Sequence, residues 1–182
     1  MVILYSERLL IRDYIESDFD AFYALVTDKD VMKWMPDNYS DDKDETKRML
    51  FDSIVESKLV IRKKFYFAIT DQYKGDYLGE VGFSVLHNSD EGAVVNLGYF
   101  ISREYWGQGV ATEAVGRVID YIFKELKVIK IEASCSSLNL GSISVLEKNK
   151  LIKESYRIKS MLLKGELHDR IDYRMLYSEW LK

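Results

Sequence analysis

The spacing of apolar and polar positions divides the chain into short segments of alternating period. Leu9 and Ile11 set against Arg8, Leu10 and Arg12 give a strand-like reading over Leu4 to Tyr14. Ser17-Asp18 then supplies an N-cap ahead of Phe19, Phe22, Leu25 and Val26, which recur at helical spacing. A short second helix over Val31 to Met35 is expected to stop before Pro36, because a residue preceding proline is driven out of the helical region. The stretch Pro36 to Glu45 is polar and acidic and reads as a solvated loop leading into a helix, with Met49, Leu50, Ile54, Val55 and Leu59 on one face.

The period then changes to two. Three strands are expected in succession over Phe65 to Thr70, Tyr77 to His87 and Ala93 to Ser102. Gly79 and Gly82 in the second mark a close approach or a bulge. Gly109 to Leu126 is a helix with Val110, Ala114, Val118, Ile122 and Phe123 as its buried stripe. A strand over Val128 to Cys135, a helix over Leu140 to Asn149, and strands over Glu154 to Leu163 and Asp169 to Tyr177 complete the chain. The order β, α, α, β, β, β, α, β, α, β, β predicts a mixed α/β sandwich and excludes a doubly wound sheet.

Composition narrows the picture. The chain has 182 residues, 47% hydrophobic and 13% aromatic, so one domain spanning residues 1–182 with a sizeable core is expected. The formal net charge of -4 argues against non-specific binding to nucleic acid or acidic membrane and suits a cationic or amine-bearing partner. A single cysteine, Cys135, forbids an internal disulfide. With no basic-flanked apolar leader and no run approaching the ~20 apolar residues of a membrane span, a cytoplasmic protein is expected.

The run Gly98-Tyr-Phe-Ile-Ser-Arg-Glu-Tyr-Trp-Gly-Gln-Gly-Val-Ala-Thr-Glu-Ala114 carries the most chemistry. A strand ends in a loop holding Gly107 and Gly109, and a long helix starts at once. Such a junction leaves several N–H groups unpaired, backed by the positive end of the helix dipole, and glycines let another molecule approach the backbone. Its natural occupant is a phosphate or pyrophosphate. No Gly-Lys-Ser/Thr triplet follows, and Thr112 stands where a dinucleotide fingerprint needs a third glycine, so neither a P-loop nor a Rossmann site fits.

Taken with the element order, these residues resemble the GNAT superfamily of N-acetyltransferases, and more narrowly the branch of the ribosomal-protein alanine N-acetyltransferases. Ser6-Glu7-Arg8-Leu9-Leu10-Ile11-Arg12, Asp30 to Pro36, Tyr77 to Phe83, and Asn139 with Ser142 and Glu147-Lys148 carry the likeness along nearly the whole chain. Trp106-Gly-Gln-Gly-Val-Ala-Thr-Glu-Ala114 is similar to that branch's form of the loop. The resemblance implies a mixed, mostly antiparallel sheet with two splayed strands, those ending at Ser102 and Cys135, and helices on both faces. It implies acetyl-CoA as co-substrate, no metal, and an amine acceptor: a protein N-terminus such as that of a ribosomal protein, or a small amine such as a polyamine or an aminoglycoside. A non-catalytic acyl-CoA-binding module is the alternative from another class.

The cofactor residues so implied are Gly107, Gln108, Gly109, Val110, Ala111 and Thr112 for the pyrophosphate, the strand edge at Phe100 and Ile101 for the pantetheine arm, and Asn139 as a further contact or a helix cap. The chemistry needs a neutral amine, hence a base, and a donor for the leaving thiolate. The tyrosine that most of the superfamily uses as donor falls on Leu146 here, and the branch's serine matches Ser142. Where many relatives carry a glutamate as base this chain has Asn96. Glu80 on the neighbouring strand is therefore the expected base, with Asn96 ordering water, and Glu132 is the second candidate. Tyr5, Tyr14, Trp34, Tyr39, Tyr156 and Tyr173 are candidates for an acceptor pocket, and an exposed C-terminal hairpin edge offers a pairing surface for a homodimer.

Overall fold

The computed structural model describes all 182 residues. Strands β1 (Ile3–Tyr5) and β2 (Leu9–Asp13) form a hairpin, so the single opening strand expected from sequence is two, broken at Ser6 to Arg8. Helices α1 (Phe19–Thr27) and α2 (Lys43–Glu56) follow, then strands β3 (Lys64–Asp71), β4 (Tyr77–Asn88) and β5 (Ala93–Ile101). Helix α3 (Val110–Glu125), strand β6 (Val128–Ser136), helix α4 (Leu140–Lys148), strands β7 (Ile152–Leu163) and β8 (Glu166–Leu176) and the one-turn helix α5 (Tyr177–Trp180) complete the chain. The eight strands form one sheet in the order β1-β2-β3-β4-β5-β6-β8-β7. Every pairing is antiparallel except that of β5 with β6.

Alternation along the strands sorts side chains to two faces. Val81 and Phe83 of β4, Val95 and Leu97 of β5 and Ile131 and Ala133 of β6 join the α3 stripe in the main core of 28 residues. The α3 stripe, Val110, Ala114, Val118, Ile122 and Phe123, is buried as its spacing predicts. The opposite face carries Ala68 of β3 against Tyr14 and the apolar sides of α1 and α2. Helices thus lie on both faces.

Three expectations are corrected. Val31–Trp34 is a 3-10 turn, not an α-helix, because four residues before a proline cannot complete α-helical bonding. Only Leu50 and Ile54 of the anticipated α2 face are buried. Val55 lies within the helix but faces solvent, and Leu59 falls beyond its end at Glu56 and is exposed. The α5 turn was not anticipated; its Trp180 packs on Phe123 with ring centroids 5.5 Å apart.

Gly79 is required by close approach: a Cβ there would sit 2.2 Å from the Phe100 carbonyl oxygen of β5. At the far edge of the sheet β7 is exposed over most of its length. No helix is long and apolar enough to cross a membrane.

Candidate active site

β5 and β6 pair only from Ala93–Val128 to Asn96–Glu132. Beyond that point β5 runs on to Ile101 and β6 to Ser136 with no register between them, so a gap opens between the two strands. The ladder's phase says which backbone groups face it. Both main-chain groups of a residue in an antiparallel pair point to the same neighbour, and alternate residues point opposite ways. Ser102 N–H donates to the Leu78 carbonyl of β4 at 2.9 Å. With Glu80 opposite Phe100 and Gly82 opposite Gly98, the same phase turns Phe100 toward β4 and Leu97, Tyr99 and Ile101 toward the gap. Of the two residues expected to present their backbone, Ile101 therefore does so and Phe100 does not. The Ile101 carbonyl already accepts the Trp106 indole N–H at 2.7 Å.

The loop after β5 carries the unpaired donors that its sequence suggests. Gly107 and Gly109 adopt φ of 73° and 81°, the left-handed region that glycine enters freely. From Gly107 through Gln108, Gly109, Val110 and Ala111 to Thr112 no backbone N–H donates to any protein acceptor. These six donors surround the N-terminus of α3, a 16-residue helix, where the dipole adds positive potential.

Sequence reasoning missed the clamp behind this loop. Glu113, in the first turn of α3, accepts from the Ser6 hydroxyl and the Arg8 N–H, both at 2.8 Å, and pairs with the Arg8 guanidinium at 2.8 Å. Burial raises the Glu113 carboxyl, but the Arg8 N–H, the Ser6 hydroxyl and the Arg8 charge outweigh it, and the group sits below its usual range. Arg8 also donates to the Gln108 carbonyl at 3.2 Å, fixing the loop from the β1–β2 turn. Both partners lie in runs that already carried the family likeness, but a charge pair 105 residues apart in sequence has no local signal.

Asn139 caps α4: its side-chain oxygen accepts from the Ser142 N–H at 3.1 Å. The Ser142 hydroxyl lies 2.9 Å from the Tyr99 phenol of β5, and on the β6 side it lowers the Cys135 thiol against the raising effect of burial, so it stands between the two splayed strands. Leu146 is 1% exposed and supplies no donor.

Glu80 lies on the other face of the sheet. Its Oε2 accepts from the Tyr14 phenol at 2.7 Å, and Tyr14 lies 2.9 Å from the Tyr77 hydroxyl. Its other oxygen has no protein partner and is not sealed from solvent. Burial among aromatic rings raises the Glu80 carboxyl to about 7, against the lowering effect of the Tyr14 hydrogen bond.

Asn96 shares that face but stands four residues along β5 from Phe100, the partner of Glu80. At a strand rise of ~3.3 Å per residue the two are too far apart to share one water. The expected pairing of Glu80 with Asn96 is thus not what the register gives. Asn96 lines a polar cleft of about 330 Å³ with Glu132, Ser134, Glu154, Arg157 and Asp172. Every carboxylate there is paired with a cation: Glu132 and Glu154 share Lys130, Glu154 also meets Arg174, and Asp172 pairs with Arg157 and Arg170. Of the other aromatics named from sequence, Tyr14 reaches a candidate catalytic group, whereas Trp34 packs edge-on against His168 and Tyr173 donates to Glu147 at 3.2 Å.

The splayed β5–β6 gap, the donor-rich loop at one end and the Ser142 hydroxyl across it form the candidate site. The sequence signature of the acetyltransferase (GNAT) domain matches residues 8–152, and the chain belongs to that family of N-acetyltransferases. An uncharacterised N-acetyltransferase of Bacillus licheniformis is 28% identical over 180 residues, covering 99% of each chain. The alanine N-acetyltransferase of ribosomal protein uS5 from Escherichia coli is 26% identical over 116 residues, covering 64% of this chain and 59% of that one. The crystal structure of spermidine N-acetyltransferase from Vibrio cholerae with CoA and spermine superposes with a TM-score of 0.83 at 18% identity, covering 97% of this chain and all of that one.

Proposed function

We propose that residues 1–182 form one cytoplasmic acetyltransferase domain that moves the acetyl group of acetyl-CoA to the primary amine of a peptide N-terminus, such as that of a ribosomal protein. The observation that carries the acceptor class is the charge balance of the polar cleft. A polyamine site needs carboxylates in excess of local cations, and here Glu132, Glu154 and Asp172 are all neutralised within the protein. A peptide brings its own donors and acceptors and suits a lining of mixed polar groups such as Asn96, Ser134 and Arg157.

In this reading the six N–H groups of Gly107 to Thr112 hold the pyrophosphate. The N–H groups of Tyr99 and Ile101 face the pantetheine arm and the thioester carbonyl, where a donor aimed at the developing oxyanion contributes on the order of 3 kcal/mol. The co-substrate supplies an activated acyl carbon. Glu80 takes the proton of the attacking amine through water at its open oxygen, its carboxyl being poised near neutral pH. Asn96 binds the acceptor in the cleft, and Ser142 offers its hydroxyl to the departing sulfur. A panel of alanyl, seryl and methionyl peptides, spermidine and an aminoglycoside, each incubated with acetyl-CoA and read by mass spectrometry, tests the reading. Acetylation of peptides alone is expected. Exclusive acetylation of spermidine or the aminoglycoside overturns the acceptor class, and CoA binding without any transfer makes the chain a binding module.

A further inference from the structure

The Tyr99 side chain has no role in the reading so far, yet it is the only β5 side chain that reaches the Ser142 hydroxyl. It stands three residues past the last β5–β6 pair, in the stretch where the strands have parted. Its phenol lies 2.9 Å from Ser142 Oγ and 3.2 Å from the Ser142 carbonyl oxygen. The carbonyl can only accept, whereas in the hydroxyl contact either oxygen can donate, so the single phenol proton goes either to the carbonyl or to Oγ. On the other side of Ser142 lies Cys135 of β6; burial raises its thiol against a lowering influence of the Ser142 hydroxyl.

We infer that Tyr99 is a positioning residue for thiolate departure: its phenol donates to Ser142 Oγ and so turns the serine proton into the gap between β5 and β6. This rests on the reading of Ser142 as the group that meets the sulfur. The Cys135 thiol beyond Ser142 is only a weak acceptor. A developing thiolate is a far better one and takes the hydrogen bond over. As the carbon–sulfur bond breaks, its electron pair stays on sulfur, Ser142 donates to it, and Tyr99 donates to Ser142. The proton finally bound to sulfur comes from water as the coenzyme leaves.

Tyr99 does not itself supply that proton. A phenol is a weaker acid than a thiol, and burial raises the Tyr99 phenol further, against a lowering contribution from Ser142. It remains a neutral donor across the working pH range. Two donors in series strengthen one another, which is the advantage over an isolated serine.

The test is a double-mutant cycle on single-turnover acetyl transfer, with acetyl-CoA as donor and an alanyl peptide or spermidine as acceptor. Tyr99→Phe keeps the ring and is expected to slow transfer about tenfold with the KM for acetyl-CoA unchanged. In a Ser142→Ala background the same change is expected to have less than about a twofold effect, and Ser142→Thr, which restores a hydroxyl, is expected to restore the sensitivity. Equal effects of Tyr99→Phe in both backgrounds overturn the inference, as does an unchanged rate in the single variant. If Ser142→Ala slows transfer and Tyr99→Phe does not, only the role of Tyr99 falls. If Ser142→Ala is silent, the reading of Ser142 falls with it. Should Tyr99→Phe melt early, 3-fluorotyrosine at position 99 keeps the shape with a stronger donor, and a rate below wild type then overturns the inference.

Discussion

Gly109→Val isolates the phosphate loop from the rest of the protein. Gly109 sits at φ 81° and ψ 0°, directly before α3, and a Cβ added there has one neighbour within 4 Å, the Arg8 guanidinium tip at 3.4 Å. The protein side of the cost is therefore backbone strain, ~1–2 kcal/mol for a non-glycine residue held in the left-handed region. In a chain of this size that lowers Tm by roughly 2–8 °C and leaves a folded protein. The ligand side is larger. On the loop assignment a branched side chain at 109 crowds the backbone that a phosphate must approach, and each hydrogen bond to a charged oxygen is worth ~1.5–3 kcal/mol. Losing one of them weakens acetyl-CoA binding at least about tenfold, and losing two by about a hundredfold or more. Gly165→Val is the control, since Gly165 has φ 84° and nothing within 4 Å of an added Cβ, in the β7–β8 turn. It carries the same strain and is expected to leave affinity unchanged. Calorimetric titration of CoA into both variants, with melting curves alongside, separates strain from binding. A folded Gly109→Val protein with wild-type affinity refutes the loop assignment.

The other predictions concern the buried charges. With the Glu80 carboxyl at about 7, kcat is expected to rise with pH through neutrality; Glu80→Gln should abolish that limb, and a loss in Glu132→Gln instead would transfer the role. Tyr14→Phe removes the hydrogen bond that lowers this carboxyl, so the limb should move to higher pH; a downward move refutes the assignment. Asp13→Asn leaves the Arg62 guanidinium buried opposite it at 2.7 Å, over the Phe65 and Phe67 rings, without its counter-charge. A loss of ~3–5 kcal/mol by urea unfolding is expected, and a loss under ~1 kcal/mol would show that the pair is not isolated from water.

The fold was legible because its strongest signals are local. The α3 stripe and the alternation of β4 and β5 need only a window of ten residues, and the glycine loop announces both its junction and its unpaired donors. The failures are where short segments lack a period. Ser6 to Arg8 interrupts what pattern alone joins into one strand, and Tyr177–Trp180 is a helix held by Trp180 on Phe123 and by Asp120 of α3, which accepts from the Trp180 indole at 3.1 Å. The Arg8–Glu113 clamp and the Arg62–Asp13 pair join residues from distant parts of the chain, and pairing at that range is written in the register of the sheet and not in any window of sequence.

The same distinction divides the candidate site. The donor loop is main chain, and main-chain donors follow from glycine positions and a helix start. The acid and base positions depend on which face each side chain takes and how far along its strand it stands, and register decides both. One residue of strand phase turns the backbone of Ile101 into the gap and that of Phe100 away from it. Four residues of displacement along β5 separate Asn96 from the partner of Glu80. Tyr99 went unnoticed for a related reason. In the run Leu97-Gly98-Tyr99 it reads as one more apolar strand residue, and its ring does pack against the main core. Only the parting of β5 from β6 frees its hydroxyl to meet α4, so a residue that pattern assigns to the core reaches the chemistry through its last atom.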